Sequence, residues 1–112
     1  MKKIEAIIRP ERVEQVRRAL ADLRYPGLTL TEVKGHGKQQ GVRQQWRGKE
    51  FVAELLPRVK LEIATADDDA PMIVRAIISA ARTGEEGDGK IFVLPVEDAV
   101  RVRTGEGGDD AI

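Results

Sequence analysis

The chain has 112 residues but no cysteine and no asparagine, one histidine, one serine and four aromatic residues. Without cysteine there is no disulfide framework, no thiol nucleophile and no thiolate metal site. A single histidine, His36, cannot build a transition-metal ligand set. It stands at the edge of a polar stretch with no partner motif, so it reads as a solvated side chain rather than a general base. The one serine, Ser79, falls inside an expected helix, where it serves as a small packing residue. Excess charge is also lacking: Lys+Arg and Asp+Glu are 19 each. No global basic field invites nucleic acid. The opening Met1-Lys2-Lys3-Ile4-Glu5 lacks the apolar run of a signal peptide, and no stretch is long enough to span a membrane, so the cytosol is the expected compartment.

What the chain does have is period. Residues 2–9 alternate as a strand, with Ile4, Ala6 and Ile8 on one face, and Pro10 ends it. From Glu11 the spacing changes to Val13, Val16, Leu20 and Leu23, an amphipathic helix. Tyr25-Pro26-Gly27 is a turn, and residues 28–34 alternate again. Between Gly35 and about Pro57 no period is readable. Glycines, glutamines and charges dominate there, and so long an irregular stretch in a compact domain is more often functional than structural. It holds the only tryptophan, Trp46, whose indole either packs on the loop base or waits for a partner. Order returns at 58–64, with Val59, Leu61 and Ile63 facing one way. Asp67, Asp68 and Asp69 before Pro71 read as N-cap acids of a second helix rather than as a metal cluster. That helix carries Ile73, Ala76, Ile77 and Ala80 and is expected to close near Gly84. A strand around 91–94 follows, then Val100-Arg101-Val102-Arg103, a short alternating segment, and an acidic tail.

The order is β-α-β, long loop, β-α-β, an α+β ferredoxin-like sandwich in a single domain. Two helices cover only one face of four strands. The other face, with Ile7 and Ala64, needs a cover, and a symmetric oligomer supplies one. The same fold hosts acylphosphatases, which need a catalytic asparagine, and RNA-binding domains, which stack bases on paired sheet aromatics. This chain has neither.

The chemistry concentrates in Thr83-Gly84-Glu85-Glu86-Gly87-Asp88-Gly89-Lys90, which runs into Ile91-Phe92-Val93-Leu94. Closely spaced glycines leave backbone N–H groups uncovered, and a lysine follows, a combination suited to phosphate. The spacing Gly84-x-x-x-x-Gly89-Lys90 imitates a P-loop. Ile91 stands where a P-loop needs Ser or Thr, however, and the loop leads from helix to strand rather than the reverse. An ordinary helix C-cap at Gly84 remains the other local reading. Arg101 and Arg103, two apart, would project from one strand face and add cations for a triphosphate; a solvated strand face is the plainer alternative.

Taken together, Lys2–Pro10, Thr29–Gly35, Lys60–Ile63, Thr83–Val93 and Arg101-Val102-Arg103-Thr104-Gly105-Glu106 make the chain resemble the PII signal-transduction proteins of nitrogen regulation over its whole length. The resemblance implies a homotrimer holding ATP or ADP in clefts between subunits. Residues 36–56 would be the T-loop, 82–90 the B-loop and 98–112 the C-loop and tail. Carried over by position, Gly87, Asp88, Gly89, Lys90, Arg101 and Arg103 would hold phosphates or frame them. Thr29, Gly35, Gly37, Lys38, Glu62 and Ala64 would line the rest of the nucleotide cleft. With Mg-ATP bound, Gln39 and Arg58 would take 2-oxoglutarate, the magnesium reaching the protein through ATP and Gln39. Trp46, Arg47 and Gly48 at the loop tip would meet an ammonium transporter or a nitrogen-metabolism enzyme.

The departures from the family pattern fall in the loop. The nucleotidylated tyrosine is Phe51, and the serine phosphorylated in cyanobacterial members is Lys49, so neither modification is available there. The 2-oxoglutarate lysine is Arg58, which pairs with carboxylates differently. Lys38 replaces an arginine and Trp46 a tyrosine. The expected function is a regulator without a covalent switch. A divergent paralogue reading adenylate charge for a metal or bicarbonate transporter, and a slow ATPase timer, stand as alternatives.

Overall fold

The computed structural model describes residues 1–25, 27–36, 43–46, 49–52 and 55–112, the segments 43–46 and 49–52 by their backbone alone. Strand β1 spans Lys2–Ile8, helix α1 Val13–Ala21, β2 Thr29–Gly35, β3 Arg43–Trp46, β4 Lys49–Val52, β5 Leu56–Thr65, helix α2 Ala70–Ala81 and β6 Gly89–Pro95. Four strands form one antiparallel sheet in the order β2-β5-β1-β6, and β3 pairs with β4 separately. This is the expected α+β ferredoxin-like arrangement.

The period of each element decides its packing. Ile4, Ala6 and Ile8 of β1 and Val59, Leu61 and Ile63 of β5 turn to one face of the sheet and are buried. Val16 and Leu20 of α1 and Ala70, Ile73, Ile77 and Ala81 of α2, at steps of three and four, close over them. Ile4, Ile73 and Ile77 are wholly enclosed, so truncating any one to alanine removes about 2–5 kcal/mol. The register places Ile4 opposite Ile63 on one side and Val93 on the other, which locks β1 in the centre of the sheet.

Four local expectations change. Helix α2 ends at Ala81, with Arg82 already extended at φ −69°, ψ 130°, so Gly84 does not cap it. Asp67–Asp69 form a short 3-10 turn, and Asp69 makes no side-chain cap bond to the helix. Asp67 instead pairs with the Met1 ammonium at 2.9 Å, which ties the chain start to this turn and holds the Asp67 carboxyl below its usual range. The stretch without period contains the β3–β4 ladder, in which Gln44 faces Phe51 and Trp46 faces Lys49. Neither Arg43–Trp46 nor Lys49–Val52 alternates apolar with polar residues, so the sequence gives no strand signal there. Finally, residues 100–103 are no strand: Val100 makes an isolated bridge to Gly107, and 102–104 are turn.

Candidate functional site

The glycine loop joins α2 to β6 along one edge of the sheet. Gly84, Gly87 and Gly89 take φ values of 91°, 94° and 112°, a region where side chains strain the backbone. At Gly89 a Cβ would stand 1.7 Å from the carbonyl oxygen of Ile7. Only glycine lets β6 begin there, opposite Ile8. The turn is then closed by Asp88. Its Oδ2 accepts from the amides of Thr83 (2.8 Å) and Gly84 (2.9 Å). Its Oδ1 accepts from the Thr83 hydroxyl and from Arg9 Nε at 3.1 Å. The Thr83 hydroxyl, the two amides and the Arg9 guanidinium hold the Asp88 carboxyl well below the usual carboxylate range.

Bare amides are therefore fewer than the glycines suggest. Those of Thr83 and Gly84 serve Asp88, and that of Glu85 donates to Thr83 Oγ1 at 3.2 Å. The part of the loop open to a ligand begins at Glu86. Lys90, exposed and without an ion pair among the described residues, stands at its end. Lys3, by contrast, reaches Glu62 at 2.7 Å and Glu5 at 3.2 Å, and Lys60 reaches Glu62 at 3.6 Å. Hydrogen bonding to Glu62 raises the Lys3 pKa, and Lys3 lowers that of Glu62.

The register sorts the other expected residues. Thr29 opens β2 opposite Glu62, and Glu62 and Ala64 lie on the face of β5 that the helices leave open. Lys90 sits on that same face, in a row with Ile7, Lys60 and Thr31. Gly35 closes β2, where a Cβ would come 3.7 Å from Arg58 Cγ. Arg58 Nη1 donates to the Pro57 carbonyl at 2.7 Å. The loop and the Thr29–Glu62 corner therefore occupy opposite edges of one sheet, about 14 Å apart at three strand spacings. Gly37, Lys38, Gln39, Arg47 and Gly48 lie outside the described residues, as do the side chains of Trp46, Lys49 and Phe51.

In the tail, Arg101 and Arg103 do not share a strand face as expected. Gly105, with φ 74°, donates its amide to the Arg101 carbonyl at 2.8 Å and folds the segment into a turn. Arg101 is already occupied: Nη1 lies 3.6 Å from Glu106 Oε1, and Nη2 donates to the Asp110 carbonyl at 3.0 Å. Arg103 is exposed within the turn.

Comparison with known proteins decides the family. Residues 1–106 match the family model described as nitrogen regulatory protein P-II. The chain belongs to the P-II family. Proteins named nitrogen regulatory protein P-II are similar to it over all 112 residues and over their own full length. Those from Cereibacter sphaeroides, Rhizobium meliloti (strain 1021) and Azospirillum brasilense are 52%, 51% and 51% identical.

Two features of this P-II chain escaped sequence reasoning. Arg9 and Thr83 organise the loop, and no spacing links position 9 with 88. The signal was topological: once β1 and β6 pair with Ile8 opposite Gly89, Arg9 must approach Asp88. The second feature is an apolar groove of about 380 Å³ between α2 and β6, walled by Val74, Ile77, Ile78 and Val93. Thr29, Glu62 and Ala64 are not part of it. Among the described residues no helix is long and apolar enough to cross a membrane, and no three acidic or histidine side chains gather as a metal site.

Proposed function

We propose that this P-II chain is a regulatory protein that binds ATP or ADP in clefts between the subunits of a homotrimer. With Mg-ATP in place it also takes 2-oxoglutarate. Through residues 36–56 it controls an ammonium transporter or a nitrogen-assimilation enzyme. Phe51 and Lys49 leave it no covalent switch at those positions. The observation that carries the nucleotide reading is Lys90, without an ion pair among the described residues, beside the exposed end of the glycine loop. Amides and an unneutralised ammonium at one point suit a phosphate chain.

The sheet supports the inter-subunit placement. Gly87, Gly89 and Lys90 stand on one edge; Thr29, Glu62 and Ala64 stand towards the other. A ring of copies brings the loop of one against the β2 edge of the next, so each cleft is complete only in the assembly. The open sheet face carries Phe92 and Leu94, both exposed in the isolated chain, and the ring covers them. Three subunits supply the closure the family resemblance implies.

The residues present fit a nucleotide. Lys90 and the loop amides receive phosphate oxygens, and Arg101 and Arg103 join from the tail once Arg101 exchanges Glu106 for the ligand. Magnesium neutralises the triphosphate and arrives with it, since the described residues offer no carboxylate cluster of their own. Gln39 is its expected protein contact. Arg58, at the base of the long loop, offers 2-oxoglutarate a guanidinium that can pair with a carboxylate through two N–H groups. Ligand state then sets which loop conformers are populated, and the loop selects the target. Among the described residues no base is positioned for metabolic turnover, and slow ATP hydrolysis is the most this arrangement supports. The protein works in the cytoplasm and meets a membrane only through a transporter.

Calorimetric titration tests the reading. ATP binds the wild type, and Lys90→Ala loses that binding. 2-Oxoglutarate then binds only protein saturated with Mg-ATP. ATP binding without any 2-oxoglutarate response makes the chain an adenylate-charge reader; ATP affinity unchanged by Lys90→Ala removes the site from the glycine loop.

A further inference from the structure

Asp88 was expected among the nucleotide contacts, yet both its oxygens are engaged inside the loop. Its donors come from the exit of α2, at Thr83 and Gly84, and from the end of β1, at Arg9. Arg9 also reaches past the carboxylate: its Nη2 donates to the Glu86 carbonyl at 2.7 Å. One guanidinium therefore fixes both the side chain that closes the turn and the peptide at its midpoint. Arg9 and Asp88 are partly shielded, at 20% and 24% side-chain exposure, and the bond between them is part-buried, whereas the Arg9–Glu86 bond is exposed.

The Glu86 carbonyl has a geometric consequence. In a trans peptide the C=O and the following N–H point in opposite directions across one rigid plane. With the Glu86 carbonyl held on Arg9, the Gly87 N–H must point away from Arg9, out of the loop. Gly87 sits at φ 94°, and glycine permits the alternative in which this plane is rotated and the N–H turns inward. Without Arg9, nothing else among the described residues holds the Glu86 carbonyl in place.

We propose that Arg9 and Asp88 are positioning residues, a latch that aims the Gly87 N–H outward beside Lys90 and so lets the loop count phosphates. Asp88 itself touches no nucleotide. Its negative charge, which would repel a triphosphate, is offset by Arg9 and by the hydrogen bonds it accepts. This inference rests on the nucleotide reading above, and it adds which groups make that site selective for the longer phosphate chain.

The test compares ATP with AMP by calorimetry on the full chain, for wild type, Arg9→Lys, Arg9→Gln and Asp88→Asn. Lysine keeps a charge for Asp88 but cannot also hold the Glu86 carbonyl. Arg9→Lys should therefore keep the unfolding temperature while the ATP-to-AMP affinity ratio falls about tenfold, the worth of one charge-assisted bond. Arg9→Gln and Asp88→Asn should lower the ratio at least as far. Parallel losses for ATP and AMP would make the latch merely structural and overturn the proposal, as would an unchanged ratio. A rise in ATP affinity on Asp88→Asn would overturn it too, showing uncompensated repulsion. Amide exchange in the ligand-free protein separates the two layers. If the wild type binds neither nucleotide, the nucleotide reading fails, and the proposal with it. Slow exchange at Thr83 and Gly84 that Asp88→Asn abolishes would then show that the latch exists and only its phosphate role is lost.

Discussion

Two glycine-rich segments of this chain are built with the same device and behave differently. In the loop at 83–90, Asp88 accepts from two backbone amides; in the tail at 98–112, Asp98 Oδ1 accepts from the amides of Ala99 (2.9 Å) and Gly108 (3.0 Å). The loop, however, is fastened to the body, through Arg9 and through the start of β6 against β1. Every hydrogen bond of the tail among the described residues closes within 98–112. Its valines show the consequence, Val100 at 63% and Val102 at 101% exposure. The loop is preorganised by its own subunit. The tail carries apolar side chains that the described residues leave uncovered. Their cations differ in the same sense: Lys90 has no ion pair among the described residues, whereas Arg101 already holds Glu106 and Asp110.

The sharpest way to break this contrast is a methyl group in each segment. Gly89→Ala drives a Cβ into the Ile7 carbonyl at 1.7 Å, where backbone rather than a flexible side chain must move. We expect about 3 kcal/mol or more of lost stability, read by urea denaturation. Gly105→Ala also has positive φ but meets nothing within 4 Å. Its strain of about 1 kcal/mol falls on a segment that the body does not hold, so global unfolding should barely change. Equal destabilisation by the two would deny that only the loop is fastened.

Cations give the next largest effect. Lys90→Ala removes an unpaired charge and should weaken ATP by at least about tenfold, the scale of one charge-assisted contact. Arg101→Ala should weaken it less, because Arg101 must first release Glu106. Glu106→Gln should strengthen ATP about twofold, in keeping with the small worth of an exposed ion pair. Affinity falling on that substitution would mean the Glu106 contact prepares the site rather than competes for it.

How much of this was legible follows from whether a residue's environment is written in local period. Ile4-Ala6-Ile8, Val59-Leu61-Ile63 and the Ile73–Ile77 stripe each face one core, so alternation or helical spacing alone names their elements and the α+β order. Val100-Arg101-Val102-Arg103 has the same alternation but joins no strand of the four-stranded sheet; Val100 makes only an isolated bridge to Gly107, and Gly105 turns the segment back on itself, so period without a partner misled. The β3–β4 ladder is the converse, pairing without alternation in its sequence. In the candidate site, Lys90 and the glycines could be named from composition. Asp88's inward role could not, because it depends on Arg9, 79 residues away, and on a register that only the folded sheet defines.

A smaller effect concerns acid. Asp88's folded pKa is depressed, chiefly by the Thr83 hydroxyl, so the unfolded chain takes up the proton first as pH falls. The group's contribution to stability is complete above about pH 4 and is lost progressively below it. Asp88→Asn should therefore flatten the acid limb of a stability profile below that pH and leave its slope near neutrality unchanged.

The measurement that tests the central claim most directly is calorimetric titration of ATP into the wild-type protein and into Lys90→Ala at matched magnesium. The account predicts saturable binding in the first and its loss in the second, with the fold of both unchanged by circular dichroism. Equal affinity in the two proteins would place the nucleotide away from the glycine loop and contradict the account.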